Sequence, residues 1–293
     1  MEWENTPESS NVEDRRGQGG GLPISGGTGG LGIGVIVIVF VISYFTGINP
    51  SVLFGGAQIL TGAGSHMSAP APQPRTAQSA GRADDRTTSL VRHVLGETEA
   101  VWAEVLPAQK GVKYVDAKLV LYDGATNSGC GGAQAAMGPF YCPEDKTVYL
   151  DTWFFHDMDA KYGGGGDFAY AYVIAHEIGH HVQDLLGILA KVDAAKQGVS
   201  RTQANALSVR IELMADCLAG VWANHAKDLK LTDDDIAKAL ATAQAIGDDR
   251  LQTAARGYSV PDSFTHGSSA MRQQWLTTGL KSGQVDSCDT FAR

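Results

Sequence analysis

The stretch DFAYAYVIAHEIGHHVQDLLG, residues 167–187, carries the pattern around which the fold is organised. Apolar residues fill most of it, and an Asp at its start and a Gly at its end predict one buried helix. His176 and His180 stand four residues apart, so their imidazoles project from one helix face towards a single ion. Glu177 is offset so that it can reach a water held by that ion. This HExxH spacing predicts a zinc site with two ligands and a general base.

A catalytic zinc needs a third protein ligand and keeps one position open. Metzincins have Gly at the position of Gln183 and a third His ligand at the position of Leu186. Leu186 cannot bind a metal, so the third ligand must come from another segment. A later apolar segment carries Glu212 and Asp216, again four residues apart. Burying carboxylates in an otherwise apolar helix is costly unless they have a partner, and a metal ion is the simplest partner. We therefore predict that Glu212 binds the zinc and that Asp216 accepts a ring N–H from His176.

The other histidines near this pattern give weaker indications. His181 points about 100° away from His180 around the helix, which favours a capped or hydrogen-bonded role on the surface over binding of the metal. His225 lies well off the face that carries Glu212, and it is expected to be structural. His266 lies in a loop before the last predicted helix and is a candidate donor to the oxyanion of a hydrolytic transition state. Capping or packing is the alternative role for His266.

Residue patterns outside the motif predict a mostly helical domain with a few strands. Gly179 is expected to let another segment approach the central helix closely. The segment 147–151 is expected to be a strand whose edge could pair with a peptide. Helices are predicted over 89–106, 167–187, 202–226, 232–252 and 268–279, and a further strand over 118–123.

Residues 31–48, LGIGVIVIVFVISYFTGI, carry no formal charge and approach the length that spans a hydrocarbon core of about 30 Å. They predict one transmembrane helix. A cleaved secretory signal is the alternative, but the preceding 30 residues are long and acidic, not short and basic. Arg15 and Arg16 precede the helix, whereas residues 49–73 contain no Lys or Arg. This bias predicts a single-pass inner (cytoplasmic) membrane protein with its N-terminus inside and its catalytic domain outside the cytoplasm.

Composition divides the chain into four predicted parts. Residues 1–30 are rich in Gly, Ser and acidic residues, which predicts a disordered cytoplasmic tail. The transmembrane helix covers 31–48. Residues 49–85 form a predicted flexible linker, because within them, over 65–85, Pro alternates with Ala, Ser and Gln. The remaining residues, 86–293, are expected to form the catalytic domain.

Charge and cysteine content restrict the partners and the compartment. The net charge of −9 leaves no basic surplus to neutralise a phosphate backbone, so nucleic acid is not an expected partner. Cys130 and Cys142 bracket a short Gly-rich loop and could pair, which leaves Cys217 for Cys288, although four cysteines permit three pairings. A structural zinc on these four thiols is the alternative, but their spacing matches no usual zinc knuckle.

Six groups of residues stand out as long segments: NVEDRRG (11–17), SGC with MGPFYCPEDKTVYLD (128–130 and 137–151), HEIGHHVQDLLG (176–187), RIELMADCLAGVWANH (210–225), IGDDRLQ (246–252) and VPDSFTHGSSAMRQQW (260–275). Together these segments resemble the bacterial neutral zinc metallopeptidase family. The resemblance implies that His176, His180 and Glu212 bind zinc and that Glu177 is catalytic. The ExxAD pattern at Glu212 is also similar to that of membrane gluzincins such as the prenyl-protein proteases.

The predicted fold class is α+β, a mostly helical zincin-like catalytic domain with a small antiparallel sheet, preceded by one N-terminal transmembrane helix. The predicted function is a membrane-anchored zinc metallopeptidase that cuts peptide or protein substrates, with Glu177 as the general base. The alternative is a non-catalytic, zinc-stabilised scaffold or binding protein of the cell envelope. Such a scaffold has no need of a base beside the water position, so Glu177 favours the enzyme.

Overall fold

The structure, a computed structural model, describes residues 1–17, 86–134, 138–158 and 165–292. Within these ranges it is mostly helical, with two small sheets. The strands are β1 (Val12–Asp14), β2 (Lys118–Tyr122), β3 (Ala125–Ser128), β4 (Gly131–Gln134), β5 (Phe140–Cys142) and β6 (Thr147–Asp151). The α-helices are α1 (Arg86–Lys110), α2 (Thr152–Asp157), α3 (Asp167–Leu185), α4 (Ile188–Lys196), α5 (Arg201–His225), α6 (Asp233–Ala245), α7 (Asp248–Arg256) and α8 (Ser269–Ser282), and short 3₁₀ turns cover Lys227–Leu229, Pro261–Ser263 and Val285–Cys288.

The main sheet has four strands in the order β1-β2-β6-β5. Strand β2 is parallel to both β1 and β6, whereas β5 runs antiparallel to β6. The prediction of a small antiparallel sheet was therefore wrong for the main sheet, in which the two predicted strands, β2 and β6, pair in parallel. The separate two-stranded sheet β3-β4 is antiparallel. The expected edge position of β6 was also wrong. Since β6 lies between β2 and β5, the edge on that side of the sheet, among the described residues, is β5.

Residues 1–17 are folded, and the prediction that they belong to a disordered tail was wrong. Val12 lies opposite Leu119 in the register of β1 and β2. Trp3 is 4% exposed and belongs to the main hydrophobic core. The backbone N–H of Ser9 donates to the carbonyl of Arg92 on α1 at 3.0 Å. The segment thus folds by joining a sheet and a core that other parts of the chain form. Its own apolar residues are too few to offset the conformational entropy lost on folding. Residues 18–30 lie outside the described residues.

The predicted transmembrane helix at 31–48 also lies outside the described residues. None of the helices that the structure describes is long and apolar enough to cross a bilayer. Strands β1 and β2 pair within one compact unit, whereas a single crossing between them would separate them by the membrane. The prediction of a single N-terminal transmembrane helix was therefore wrong. The single-pass inner-membrane location that was derived from it was wrong as well. Arg15 and Arg16, which suggested the orientation, form ion pairs with Glu13 and Asp14 at 2.8 and 2.6 Å.

Helices α3, α5 and α8 form the core around the predicted zinc motif. A Cβ atom added to Gly179 would lie 3.0 Å from the carbonyl oxygen of Ala215, so α3 and α5 touch there, as the sequence predicted. A Cβ atom added to Gly279 would lie 1.9 Å from the carbonyl oxygen of Cys217, so α8 packs even more closely on α5. These contacts bring side chains from three helices to one place.

Both disulfides match the pairing that was predicted from the short loop between Cys130 and Cys142. Cys130 bonds to Cys142, which ties the turn between β3 and β4 to the end of β5. Cys217 bonds to Cys288, which ties the C-terminal 3₁₀ turn to α5. A zinc site on the four thiols is thereby excluded, because the structure leaves none of them free.

The predicted helix over 232–252 is two helices, α6 and α7, separated at Gly247. A Cβ atom added to Gly247 would lie 2.4 Å from the backbone nitrogen of Ser269, so the chain must turn where it meets the start of α8. Asp248 opens α7, and one of its carboxylate oxygens accepts the backbone N–H groups of Thr265, His266 and Gly267. The helix is therefore interrupted by tertiary contacts, which the local sequence does not reveal.

Replacing Gly96 with Ala is expected to destabilise the protein, although the same change inside most helices stabilises them by about 1 kcal/mol. Gly96 lies in α1, and an added Cβ atom would lie 2.3 Å from the carbonyl oxygen of Pro7. The N-terminal segment must therefore move away. Unfolding curves in denaturant check the sign, and limited proteolysis checks whether residues 1–17 become accessible. The reverse change at the exposed α1 residue Ala103, Ala103→Gly, measures the helix-propensity effect alone. A more stable Gly96→Ala variant would contradict the close contact.

Candidate metal centre

The imidazoles of His176 and His180 face one carboxylate on the neighbouring helix. Nε2 of His176 lies 3.2 Å from one oxygen of Glu212, and Nε2 of His180 lies 3.5 Å from the other. The ligand atoms of the three residues all lie within 4.8 Å of one another. Helix α3 supplies both imidazoles and α5 supplies the carboxylate, and the close approach of the two helices at Gly179 brings them together. The structure thus brings together the three residues that were predicted to bind zinc.

These three residues fit a zinc ion. In a tetrahedral site, ligand bonds of about 2.0–2.2 Å place neighbouring ligand atoms roughly 3.3 Å apart. The two nitrogen-to-oxygen separations, 3.2 and 3.5 Å, bracket that value. Two imidazoles and one carboxylate also match the donor set of catalytic zinc sites that keep a fourth position open. The geometry is therefore compatible with a metal ion held between α3 and α5.

Asp216 contacts His176 as predicted, and it is held by two residues that the sequence analysis missed. Its Oδ1 lies 2.9 Å from Nδ1 of His176 and accepts the hydroxyl of Tyr172 at 2.5 Å. Arg272 donates from Nε to Oδ2 at 2.8 Å and from Nη2 to Oδ1 at 2.9 Å. Asp216 is 0% and Arg272 is 3% exposed. The carboxylate therefore remains ionised in the core because a buried guanidinium from α8 neutralises it.

His180 has a different outer partner. Its Nδ1 lies 2.9 Å from Oε1 of Gln183, one turn further along α3. The amide nitrogen of Gln183 donates to the backbone carbonyl of Ile211 at 2.7 Å. The two imidazoles are thus oriented by groups of different charge, a carboxylate for His176 and an amide for His180.

Glu177 lies beside the three clustered residues at the wall of a cleft of about 480 Å³. It is 6% exposed, and the charges of His176, His180 and Glu212 act on its carboxyl group. Burial raises the pKa of Glu177 by more than the two histidines lower it. The cleft is bordered by side chains of α3, α4 and α5 and by the segment of β5, with lining residues that include Gly138, Phe140, Tyr141, Phe154, Leu189, His266 and Arg272.

The ionisation of the cluster follows from its mutual contacts. Burial disfavours a charged imidazole, but the Asp216 carboxylate and the hydrogen bond to Glu212 outweigh it and raise the pKa of His176 to about 10. Burial also opposes the ionisation of Glu212, yet the charges and hydrogen bonds of the two histidines hold its pKa well below the usual value. Burial is likewise outweighed at Asp216, where Arg272 and His176 lower the pKa. The carboxylates are therefore available as anions for a cation.

His266 lies at the same cleft and is oriented by the loop that Asp248 organises. Nδ1 of His266 lies 3.4 Å from Oδ1 of Asp248 and 3.1 Å from the hydroxyl of Thr265. Burial lowers the pKa of His266, but the Asp248 hydrogen bond and the charge of Glu212 outweigh it, so the pKa is raised. The side chain of His266 is half exposed, and its Nε2 is not engaged by either of these contacts.

His181 and His225 lie outside the cluster, as predicted. His181 is buried, not on the surface, and its two ring nitrogens contact the hydroxyl of Tyr141 at 2.9 Å and the carbonyl of Val115 at 2.6 Å. His225 Nε2 lies 2.9 Å from the carbonyl of Gly283. Both histidines therefore serve to join elements of the fold.

A model of the family described as "Putative neutral zinc metallopeptidase" matches residues 1–291. The chain belongs to this neutral zinc metallopeptidase family. Membership implies zinc as the metal and peptides as substrates, and it confirms the resemblance that the sequence segments indicated. The family match also includes residues 1–17, which agrees with their place in the folded unit.

Relatives of this neutral zinc metallopeptidase extend over most or all of the chain. "Uncharacterized protein YpfJ" of Escherichia coli strain K12 is 42% identical over 301 aligned residues, which cover 100% of this chain and 99% of the relative. "Uncharacterized protein Mb2605" of Mycobacterium bovis is 45% identical over 206 residues, which cover 66% of this chain and 67% of the relative. No solved structure is significantly similar to the chain.

Proposed function

We propose that the protein is a peptidase that hydrolyses peptide bonds at a zinc ion held by His176, His180 and Glu212. The observation that carries this proposal is the position of Glu177, a buried carboxylate that lines the same cleft as the three ligands. A site that only bound zinc would require the ligands and their outer partners. A hydrolytic site also requires a base beside the open position, and Glu177 supplies it.

Glu177 and Asp216 have different roles in this proposal. Zinc bound there would supply a water molecule of lowered pKa and would polarise the carbonyl of the scissile peptide. Glu177 accepts the proton of that water and returns it to the leaving amine. A pKa raised by burial suits both transfers, because the group must take up and release a proton near neutral pH. Asp216 fixes the ring of His176 so that Nε2 faces the metal.

Strand β5 is the proposed docking edge for the peptide. Within the described residues it has a strand neighbour on one side only, β6, and its residues Phe140 and Tyr141 border the cleft. A peptide that adds to such an edge is held through its backbone, and alternate side chains point into pockets. This arrangement favours extended, unfolded segments as substrates over folded ones.

The second candidate function is a zinc-stabilised scaffold that binds a partner and cuts nothing. It explains the ligands, but it gives no role to Glu177, a buried acid beside them. Digestion of a peptide library by the zinc-loaded protein distinguishes the two. We expect cleavage that disappears when zinc is removed by a chelator and returns when zinc is added back. Stoichiometric zinc without cleavage would favour the scaffold.

Replacing His266 with Phe, which keeps a ring but has no hydrogen-bond donor, is expected to lower kcat by roughly 10²–10³-fold with little change in KM, because the lost donor acts on charge that develops only in the transition state. Steady-state kinetics on a cleaved peptide measure both constants. Zinc content should remain that of the wild type, since His266 is outside the ligand cluster. A variant that kept kcat would leave His266 with its capping role beside Asp248.

A further inference from the structure

We propose that Gln183 is a positioning residue that fixes the ring orientation of His180 and couples it to Glu212 across two helices. The proposal deepens the proposed function and rests on it, because it concerns how the same site holds its metal. Residue spacing predicts no such role for Gln183, which stands where metzincins have Gly.

Gln183 is enclosed in the contact between α3 and α5. It is 0% exposed, so both ends of its amide must find protein partners. Oε1 lies 2.9 Å from Nδ1 of His180, and Nε2 donates to the carbonyl of Ile211 at 2.7 Å. Each of the two partners is linked to a predicted zinc ligand, because one is His180 itself and the other immediately precedes Glu212.

The chemistry of these contacts determines the tautomer of His180. A backbone carbonyl can only accept a hydrogen bond, so the NH₂ group of Gln183 must face Ile211. The amide oxygen must then face His180, and it can only accept. Nδ1 of His180 therefore carries the proton, and the lone pair of a neutral ring lies on Nε2, which faces Glu212 at 3.5 Å. The outer hydrogen bond thus selects the nitrogen that is able to bind a metal.

The same amide also sets the distance between ligands on different helices. His180 is on α3 and Glu212 is on α5, so their separation depends on how the two helices are placed along each other. Gly179 permits the close approach of α5, but a contact through Ala215 alone does not fix a direction along the helix. The hydrogen bond from Gln183 to Ile211 is directional, and it lies one residue from the ligand. Loss of this bond would allow Glu212 to shift relative to His180.

The two ends of the amide can be separated by substitution. Gln183→Met has a similar length and removes both hydrogen bonds, so zinc affinity should fall by about 10–100-fold, the usual effect of losing an outer partner. Gln183→Glu keeps an acceptor for Nδ1 of His180 but loses the donor to Ile211. We expect this variant to bind zinc more tightly than Gln183→Met while its unfolding temperature falls, because the carbonyl of Ile211 is left facing a carboxylate.

Zinc affinity is measured by competition with a chromophoric chelator, and the unfolding temperature is measured on the zinc-free proteins. Gln274→Met and Gln274→Glu are the matched controls, since Gln274 is exposed on α8 and outside the cleft. They should leave both measurements unchanged. The ring N–H proton of His180, observed by NMR, should be protected from exchange in wild type and Gln183→Glu and exposed in Gln183→Met.

The outcomes separate this proposal from the function on which it rests. Wild-type zinc affinity in Gln183→Met would overturn the role of Gln183 and leave the peptidase proposal standing. Equal zinc affinities in Gln183→Met and Gln183→Glu, both weakened, would overturn the assignment of the amide oxygen to His180. Wild-type protein that binds zinc but cuts no peptide would refute the peptidase alone. Wild-type protein that takes up no zinc would refute both.

Discussion

Glu177→Gln is expected to bind zinc normally and to hydrolyse peptides roughly 10³-fold more slowly, within the 10²–10⁴-fold range that general acid–base catalysis contributes. Gln has nearly the size of Glu, so the cleft keeps its shape, but the amide cannot accept the proton of a water molecule. The three ligands are unchanged. Metal analysis of the purified variant and kcat on a cleaved peptide test the two halves of the prediction.

The stability of this variant is informative as well. Burial disfavours the ionised form of Glu177 and raises its pKa, so a neutral amide at the same place should not lower the unfolding temperature. Loss of activity would then be separated from loss of structure. Glu104→Gln, at an exposed position on α1 away from the cleft, provides the matched control and should keep full activity. Equal hydrolysis by Glu177→Gln and wild type would remove Glu177 from the reaction.

Local periodicity predicted those parts of the site that lie within single helices. Residues four apart share a helix face, so the pairing of His176 with His180 and of Glu212 with Asp216 followed from spacing alone. The meeting of the two pairs followed from the physical cost of burying carboxylates without a partner. Asp216 lies 2.9 Å from Nδ1 of His176, the histidine that was predicted to contact it. The catalytic roles of these residues stay predictions.

Contacts between distant segments could not be predicted in this way. Strand β1 contains a single apolar residue, Val12, and its partner β2 lies far along the chain, so no local pattern marks it as a strand. Without that strand, residues 1–30 looked like a tail, and the charges of Arg15 and Arg16 suggested a membrane orientation. Gly247 gave no sign that the α8 backbone would lie against it and divide the helix.

Arg272 is an instructive omission, because a signal for it was present. Once Asp216 is placed in an apolar helix, its charge needs a buried cation in addition to a neutral imidazole N–H. Arg272, in the segment MRQQW (271–275), is the basic residue nearest in sequence to His266, yet the spacing within one helix does not show which side chain reaches another helix. The close packing of α8 on α5 at Gly279 places Arg272 against Asp216.

Arg272→Met is expected to lower the free energy of unfolding by roughly 3–5 kcal/mol, since it removes one member of a buried ion pair and leaves the other charged. Asp216 is fully buried and would keep only the hydrogen bonds from Tyr172 and His176. The unfolding temperature should fall by on the order of ten degrees. Arg250→Met, at an exposed position on α7, should change it little.

Combination with Asp216→Leu separates the burial of charge from the binding of metal. The double variant has no buried ion, so apolar packing should restore most of the stability that Arg272→Met loses. It also leaves Nδ1 of His176 without its carboxylate, and zinc affinity should therefore remain about 10–100-fold weaker than in wild type. Denaturant unfolding of the zinc-free proteins and chelator competition measure the two effects. A double variant that recovered both stability and zinc affinity would show that Asp216 serves only to neutralise Arg272. If neither property recovered, the buried pair would instead be required for the packing of α8 on α5.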